Sequence, residues 1–209
     1  MFLMLDMAAA LPSAGWPLHA VVLRRRLDKA RRDPLTGLAA RDVFQAKAAR
    51  ILATGPGALV VLVDLDGFKA LNDTHGHAAG DAVLVHVARR LARYAGQSGI
   101  AGRLGGDEFA AVLPGTAHAN TLRLLHAALT TPVHHDGATL ILGASIGGHQ
   151  ATAHTVLADA LARADEAMYA AKNENGGYRL NPTAPPHTPP AGALPRRWKR
   201  SGAPTAPRP

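Results

Sequence analysis

Two pairs of carboxylates, each at the end of an apolar run, are the residues of this 209-residue chain best suited to chemistry. Asp107 and Glu108 lie in the stretch Arg103-Leu104-Gly105-Gly106-Asp107-Glu108-Phe109. Adjacent glycines accept the positive φ of a tight turn, so the stretch reads as a β-hairpin. Ile100 to Leu104 is the incoming strand and Phe109 to Leu113 the outgoing one. Its tip offers two carboxylates beside a backbone without side chains, which suits a bulky anion held through a cation. An ordinary acidic hairpin has the same appearance, and Gly-Gly-Asp-Glu alone does not separate the two. The second pair, Asp64 and Asp66, follows the apolar run Ala58 to Val63 and precedes Gly67-Phe68-Lys69. Carboxylates just past a buried strand are where α/β sheets carry ligand chemistry.

The elements that must position these groups follow from period and punctuation. The β-branched run Ala58 to Val63 is the mark of a central strand covered on both faces. Ahead of it, Leu18 to Arg32 reads as a basic helix with the stripe Val22, Leu23, Leu27 and Ala30. Asp33-Pro34 stops that helix, because the residue before proline is pushed out of the α region. Thr36-Gly37 turns the chain into a helix from Arg41 to Leu52. After the first carboxylate pair come a short helix, Ala70 to Asp73, a loop at His75-Gly76-His77, and a long helix from Ala82 to Ala95. Asp81 reads at its simplest as the N-cap of that helix. Beyond the hairpin, a helix from Ala117 to Thr130, a polar turn at His134-His135, a strand from Thr139 to Gly147 and a helix from His154 to Lys172 are expected. Gly176-Gly177 leads to a short last strand. The order α-β-α-β-β-α-β-α-β predicts an α+β, ferredoxin-like sandwich with a mostly antiparallel central sheet.

Composition bounds the rest. The hydrophobic fraction is 47% but the aromatic fraction only 4%, so the core is built mainly from Ala, Val and Leu. The absence of cysteine excludes a disulfide scaffold and thiolate metal sites. The formal charge of +8 belongs to the flanks: Asp33 to Leu180 carries 12 Lys/Arg against 13 Asp/Glu, a net of −1. Nucleic-acid binding by the domain therefore has little electrostatic support. Residues 1–32 form an apolar leader and basic helix, 33–180 the domain, and 181–209 a disordered tail holding nine of the fifteen prolines. The leader lacks the basic start of a signal peptide. A cytoplasmic location is expected, with membrane contact through residues 1–23 as the alternative.

Eight separated stretches resemble blocks of the GGDEF-domain diguanylate cyclases, in the family's order. They are Asp33 to Leu38, Asp64 to Lys69, Leu71-Asn72-Asp73, Gly76-His77, Gly80-Asp81, Gly105 to Phe109, Ser145-Ile146-Gly147 and Ala164 to Lys172. The resemblance implies a nucleotidyl-cyclase-like fold and an enzyme condensing two GTP into cyclic di-GMP with release of pyrophosphate, working as a homodimer with Mg²⁺ or Mn²⁺. It further implies that Asp64, Asp107 and the Leu65 carbonyl hold the metal, and that Glu108 lies near the attacking hydroxyl. Asn72 and Asp81 would read guanine, Lys69 and Lys172 would contact the triphosphate, and Phe68, Gly105 and Gly106 would line the nucleotide. A carboxylate that accepts from guanine N1–H and N2–H₂ together gives Asp81 a basis for purine choice. The alternative is a non-catalytic GGDEF module that binds GTP or a protein partner.

Three departures stand beside the resemblance. Gly96 and Gly99 occupy the arginine and aspartate positions of the family's product-inhibition site, so feedback inhibition there is not expected. The family's Lys-x-x-Gly-Arg-Asn ending is replaced by Lys172 to Gly177, leaving Arg179 as the substitute for a phosphate-binding arginine. Ala40 stands where the first block usually carries asparagine. His75 and His77 have the spacing of a zinc pair but fall in a family loop, and Ser145 has no paired base, so it reads as a packing residue rather than a nucleophile.

Overall fold

The computed structural model describes residues 31–54, 57–115, 119–152 and 155–181. The expected leader, all but the end of its helix, and the proline-rich tail lie outside the described residues, except that Asn181, expected to open the tail, is the last residue of the final strand. Among the described residues seven strands and five helices follow one another: α1 (Arg41–Ala53), β1 (Ala58–Asp66), α2 (Phe68–His75), α3 (His77–Ala95), β2 (Ile100–Gly105), β3 (Glu108–Pro114), α4 (Ala119–Leu129), β4 (Val133–His135), β5 (Ala138–Leu140), β6 (Gly143–Gln150), α5 (Leu157–Asn173) and β7 (Gly177–Asn181).

Five strands make the central sheet, in the order β2-β3-β1-β6-β7. Every pairing is antiparallel except β6 with β7, so the mostly antiparallel α+β sandwich is the observed architecture. β1 is central, and eight of its nine residues are buried. Its side chains alternate between two cores, as the period of a strand requires. Leu59, Val61, Val63 and Leu65 pack with Val83, Val87 and Leu91 of α3 and Leu122 and Leu125 of α4. Val60 and Leu62 pack with Phe44 of α1 and Leu161, Ala164 and Met168 of α5. Burial on both faces explains an unbroken apolar run where a half-exposed strand would alternate.

Several boundaries move. The expected strand Thr139 to Gly147 is two strands, β5 and β6, broken at Ile141-Leu142. His134-His135 lies in β4, which pairs with β5 as a separate hairpin. Its turn is Asp136-Gly137, both at positive φ (45° and 78°), as a two-residue primed turn demands. The helix expected at Ala82 begins at His77, so Asp81 stands in its second turn and is not its N-cap; Gly76, at φ 81°, holds that place. In the Gly-Gly hairpin, Gly105 pairs with Glu108, so the loop is Gly106-Asp107 rather than the two glycines. A register shift between Arg103 and Gly105 moves the turn by one residue.

Candidate functional site

The hairpin tip is held by two arginines that grip its backbone. Arg103 donates to the Gly106 carbonyl through Nε (2.9 Å) and Nη2 (2.7 Å). Its Nη1 donates to both Asp33 carboxylate oxygens at 3.2 and 3.3 Å. From α1, Arg41 donates to the Leu104 carbonyl through Nη2 at 2.6 Å and Nε at 3.2 Å. Asp33 in turn accepts from the Thr36 amide (2.8 Å) and hydroxyl (2.5 Å). Burial alone would raise the Asp33 pKa; the Thr36 donors and the Arg103 guanidinium outweigh it and hold the carboxyl below the usual aspartate range. The tip, the first turn of the domain and the start of α1 therefore form one connected network.

The carboxylates converge beside this network. Asp64 is directly opposite Glu108 across the β1–β3 ladder, so both project from the sheet face covered by α1 and α5. Asp107 follows at the turn and is half-buried. Its pKa is raised, first by burial and then by the Asp64 charge, against opposing pulls from a backbone hydrogen bond and from Lys172 and Arg103. An Asp107 carboxyl whose proton affinity is raised by burial and by a neighbouring carboxylate marks a site short of positive charge.

The helix α5 brings part of that charge. It lies close on β6 because Gly147 has no side chain: a Cβ there would be 2.0 Å from the Ala164 carbonyl oxygen and 2.3 Å from the Met168 nitrogen. Ala164, Met168 and Lys172 recur every four residues and share one helix face. Lys172, in the last turn of α5, thus reaches the sheet end and donates from Nζ to Asp64 Oδ1 at 2.6 Å. Desolvation pulls the lysine pKa down, but Asp64, Asp66 and Asp107 more than offset it and leave it raised. Asp66 accepts from the fully buried Ser145 hydroxyl at 2.7 Å. Its Oδ2 lies so near Gly176 that a Cβ there would be 2.7 Å away. Asp66 and Ser145 tie the end of β1 to β6 and to the loop that follows Lys172. The Ser145 hydroxyl has this structural partner in addition to its packing.

The other expected residues assemble between α2 and α3. Phe68 and Asn72, one turn apart in α2, both pack on Gly80 of α3: a Cβ there would be 1.9 Å from Asn72 Oδ1 and 3.2 Å from the Phe68 ring. Asn72 Oδ1 is buried against Gly80 without a hydrogen-bond partner. Asp81 adjoins Gly80 on the exposed side, and Lys69 is exposed on the first turn of α2. Gly67, at φ 74°, turns the chain from β1 into α2 and joins the two groups of residues. Arg179 does not join them; its guanidinium pairs with Glu174. Gly105 and Gly106 are exposed, leaving the tip open.

The donor set fits a hard divalent cation. Asp64 and Asp107 would offer two oxygen ligands, and Mg²⁺ or Mn²⁺ bound with a nucleotide would take the rest from phosphate and water. Among the described residues no cluster of three or more His, Cys, Asp or Glu forms an all-protein cage. His75 and His77 belong to no such cluster.

Sequence analysis assigned no role to Arg103 or Arg41, and did not foresee the hydrogen bonds of Asp33, Asp66 and Ser145. Arg103 and Asp33 each sat inside a motif; the signal was an arginine two residues before a flexible tip that needs fixing, and an aspartate three before a threonine.

A Gly-Gly hairpin, a strand-end carboxylate and a lysine thus meet at one end of this α+β domain. The family described as "Diguanylate cyclase, GGDEF domain" matches residues 30–177. The chain is 52% identical over 170 residues to an uncharacterised 19.3 kDa protein of the repSA 5′ region of Streptomyces ambofaciens, covering 80% of this chain and 92% of that one. It is 37% identical over 165 residues to diguanylate cyclase TpbB of Pseudomonas aeruginosa, covering 72% of this chain and 37% of TpbB. The crystal structure of the coiled coil and GGDEF domain of DgcB from Caulobacter crescentus, in complex with c-di-GMP, superposes with a TM-score of 0.74 at 28% identity, covering 86% of this chain and 99% of that one. The chain belongs to the GGDEF diguanylate cyclase family, an enzyme family. Among the described residues no helix is long and apolar enough to cross a membrane.

Proposed function

We infer that this chain condenses two GTP molecules into cyclic di-GMP, as a homodimer in which each domain presents one nucleotide to the other. The observation that carries the reading is the convergence of Asp64, Asp107 and Lys172 at the end of β1, beside a hairpin tip pinned by arginines. In each half-reaction the ribose 3′-oxygen of one GTP forms a bond to the α-phosphorus of the other. The bond from that phosphorus to the β-bridging oxygen breaks, and pyrophosphate leaves. In this reading Glu108, opposite Asp64 in the ladder, lies near the attacking hydroxyl and takes its proton. A divalent cation on Asp64, Asp107 and the Leu65 carbonyl would neutralise phosphate charge as bonds change.

The protein's own part is positioning. Asn72 Oδ1 and Asp81 accept from the guanine edge, and Phe68 packs alongside them. Lys69 and Lys172 offset triphosphate charge, and Gly105 and Gly106 let the nucleotide lie against the tip. Gly96 and Gly99 provide neither the cation nor the carboxylate of a product-inhibition site, so the enzyme accumulates product without feedback there.

The pairing of Arg179 with Glu174 favours a second reading, a GGDEF module that binds GTP or a protein partner without turnover, because the triphosphate then lacks an arginine. Incubation of the purified chain with GTP and Mg²⁺, followed by chromatography, separates the two. Cyclic di-GMP from the wild type and none from Asp107→Ala is the outcome expected of the cyclase. Bound but unconverted GTP at high protein concentration selects the module.

A further inference from the structure

The contact between Lys172 and Asp64 places an ammonium where the proposed metal has to bind. Asp64 is 8% exposed, so it has little water to turn to. The Lys172 side chain keeps 50% of its surface exposed on a flexible stem. Asp64 is its sole hydrogen-bond partner among the described residues. The other cation near Asp107 is differently held: Arg103 is fixed at once by Asp33 and by the Gly106 carbonyl. Of the two, only the lysine can leave its place by breaking a single contact.

A divalent cation and an ammonium repel at the short distances that a shared carboxylate oxygen imposes. Metal binding on the same carboxylate therefore weakens the hold on Lys172 and favours its moving away. In the nucleotide-free site it would exchange a buried carboxylate for water. With a triphosphate bound, its charge finds phosphate oxygens instead.

We propose that Lys172 is a place-holding counter-ion for Asp64, which keeps the metal weakly bound until a triphosphate draws the lysine away, so that metal and nucleotide load together. The inference rests on the reading of Asp64 and Asp107 as the metal ligands. Its thermodynamic content is a coupling, and coupling is reciprocal: nucleotide tightens metal binding by the factor by which metal tightens nucleotide binding.

The test is a Mn²⁺ titration of the full chain, followed by the electron paramagnetic resonance signal of free Mn²⁺. It is run with and without a GTP analogue whose α–β bridge cannot be cleaved, on the wild type, Lys172→Met and Lys172→Gln. Without nucleotide, both variants bind Mn²⁺ more tightly than the wild type, by about fivefold or more, within the usual range of coupling between sites. With the analogue the gain vanishes or reverses, because the lysine's phosphate contact is also lost. A gain in affinity is not what damage to a structural ion pair produces. Unchanged or weaker Mn²⁺ binding by the nucleotide-free variants overturns the proposal while leaving the metal site in place. Failure of the wild type to bind Mn²⁺ even with the analogue overturns the metal site, and the proposal with it.

Discussion

Restoring the family's product-inhibition residues should damage this protein rather than regulate it. Gly96 caps α3 at φ 63° and ψ −164°, a backbone region that only glycine enters freely, and an arginine there costs about 1–3 kcal/mol. Gly99 is closed in by backbone: a Cβ would lie 2.3 Å from the Ala95 carbonyl oxygen and 2.5 Å from that of Val112. Neither oxygen is the end of a flexible side chain, so the α3–β2 connection must shift against β3, at about 1–3 kcal/mol. The two sites are close enough to couple, but as separate terms they remove about 2–6 kcal/mol. That is a large part of the roughly 5–15 kcal/mol of a typical domain, and lowers the melting temperature by about 5–20 °C. Urea and thermal unfolding of Gly96→Arg/Gly99→Asp measure it, with Gly96→Ala and Gly99→Ala to separate strain from side-chain chemistry. A double variant within about 1 kcal/mol of the wild type, and newly inhibited by cyclic di-GMP, would refute the reasoning.

Other perturbations are simpler. Asp107→Asn removes product but raises the unfolding midpoint. The raised pKa of Asp107 means the folded chain holds that proton more tightly than the unfolded one, so this carboxyl's contribution to stability is full below its unfolded value and is lost as pH rises through the raised one; the asparagine variant lacks that loss. Metal affinity moves the other way in the wild type, weakening as pH drops through the same value, which a Mn²⁺ titration across pH detects. Arg103→Ala frees the Gly106 carbonyl and strips Asp33 of its guanidinium; the expected cost is about 1–3 kcal/mol in urea unfolding, with a loss of turnover that Arg103→Lys does not fully restore. Gly80→Ala intrudes on Asn72 Oδ1 at 1.9 Å; because that atom ends a flexible side chain, KM for GTP rises while the melting temperature changes little.

Much of this arrangement can be read from the chain before it is folded, and the misreadings have physical causes. The run Ala58 to Val63 identifies a central strand because burial on both faces leaves no alternation to obscure it. The carboxylates at its end and at the hairpin follow from position alone. The tip moved by one residue because a bulge between Arg103 and Gly105 shifts register, and a bulge is a property of paired strands that one strand's sequence does not express. Asp81 read as a cap because Gly80 looks like a helix boundary, whereas Gly80 is inside α3 so that α2 can approach. The β4–β5 hairpin was overlooked although Asp136-Gly137 is a strong turn signal, since strands of three residues carry no period to weigh. The roles of Arg103, Asp66 and Ser145 depend on partners 70 to 79 residues away.

Those separations bear on how the protein acquires its chemistry. Lys172 meets Asp64 across 108 residues of chain, Ser145 meets Asp66 across 79, and Arg103 meets Asp33 across 70. Each contact closes a loop whose entropy must be met before the contact rewards it. The site is therefore among the last features to form. A chain still emerging from synthesis carries the carboxylates of β1 and the hairpin long before the lysine that answers them, and a refolding chain regains its helices before it regains the Lys172–Asp64 contact.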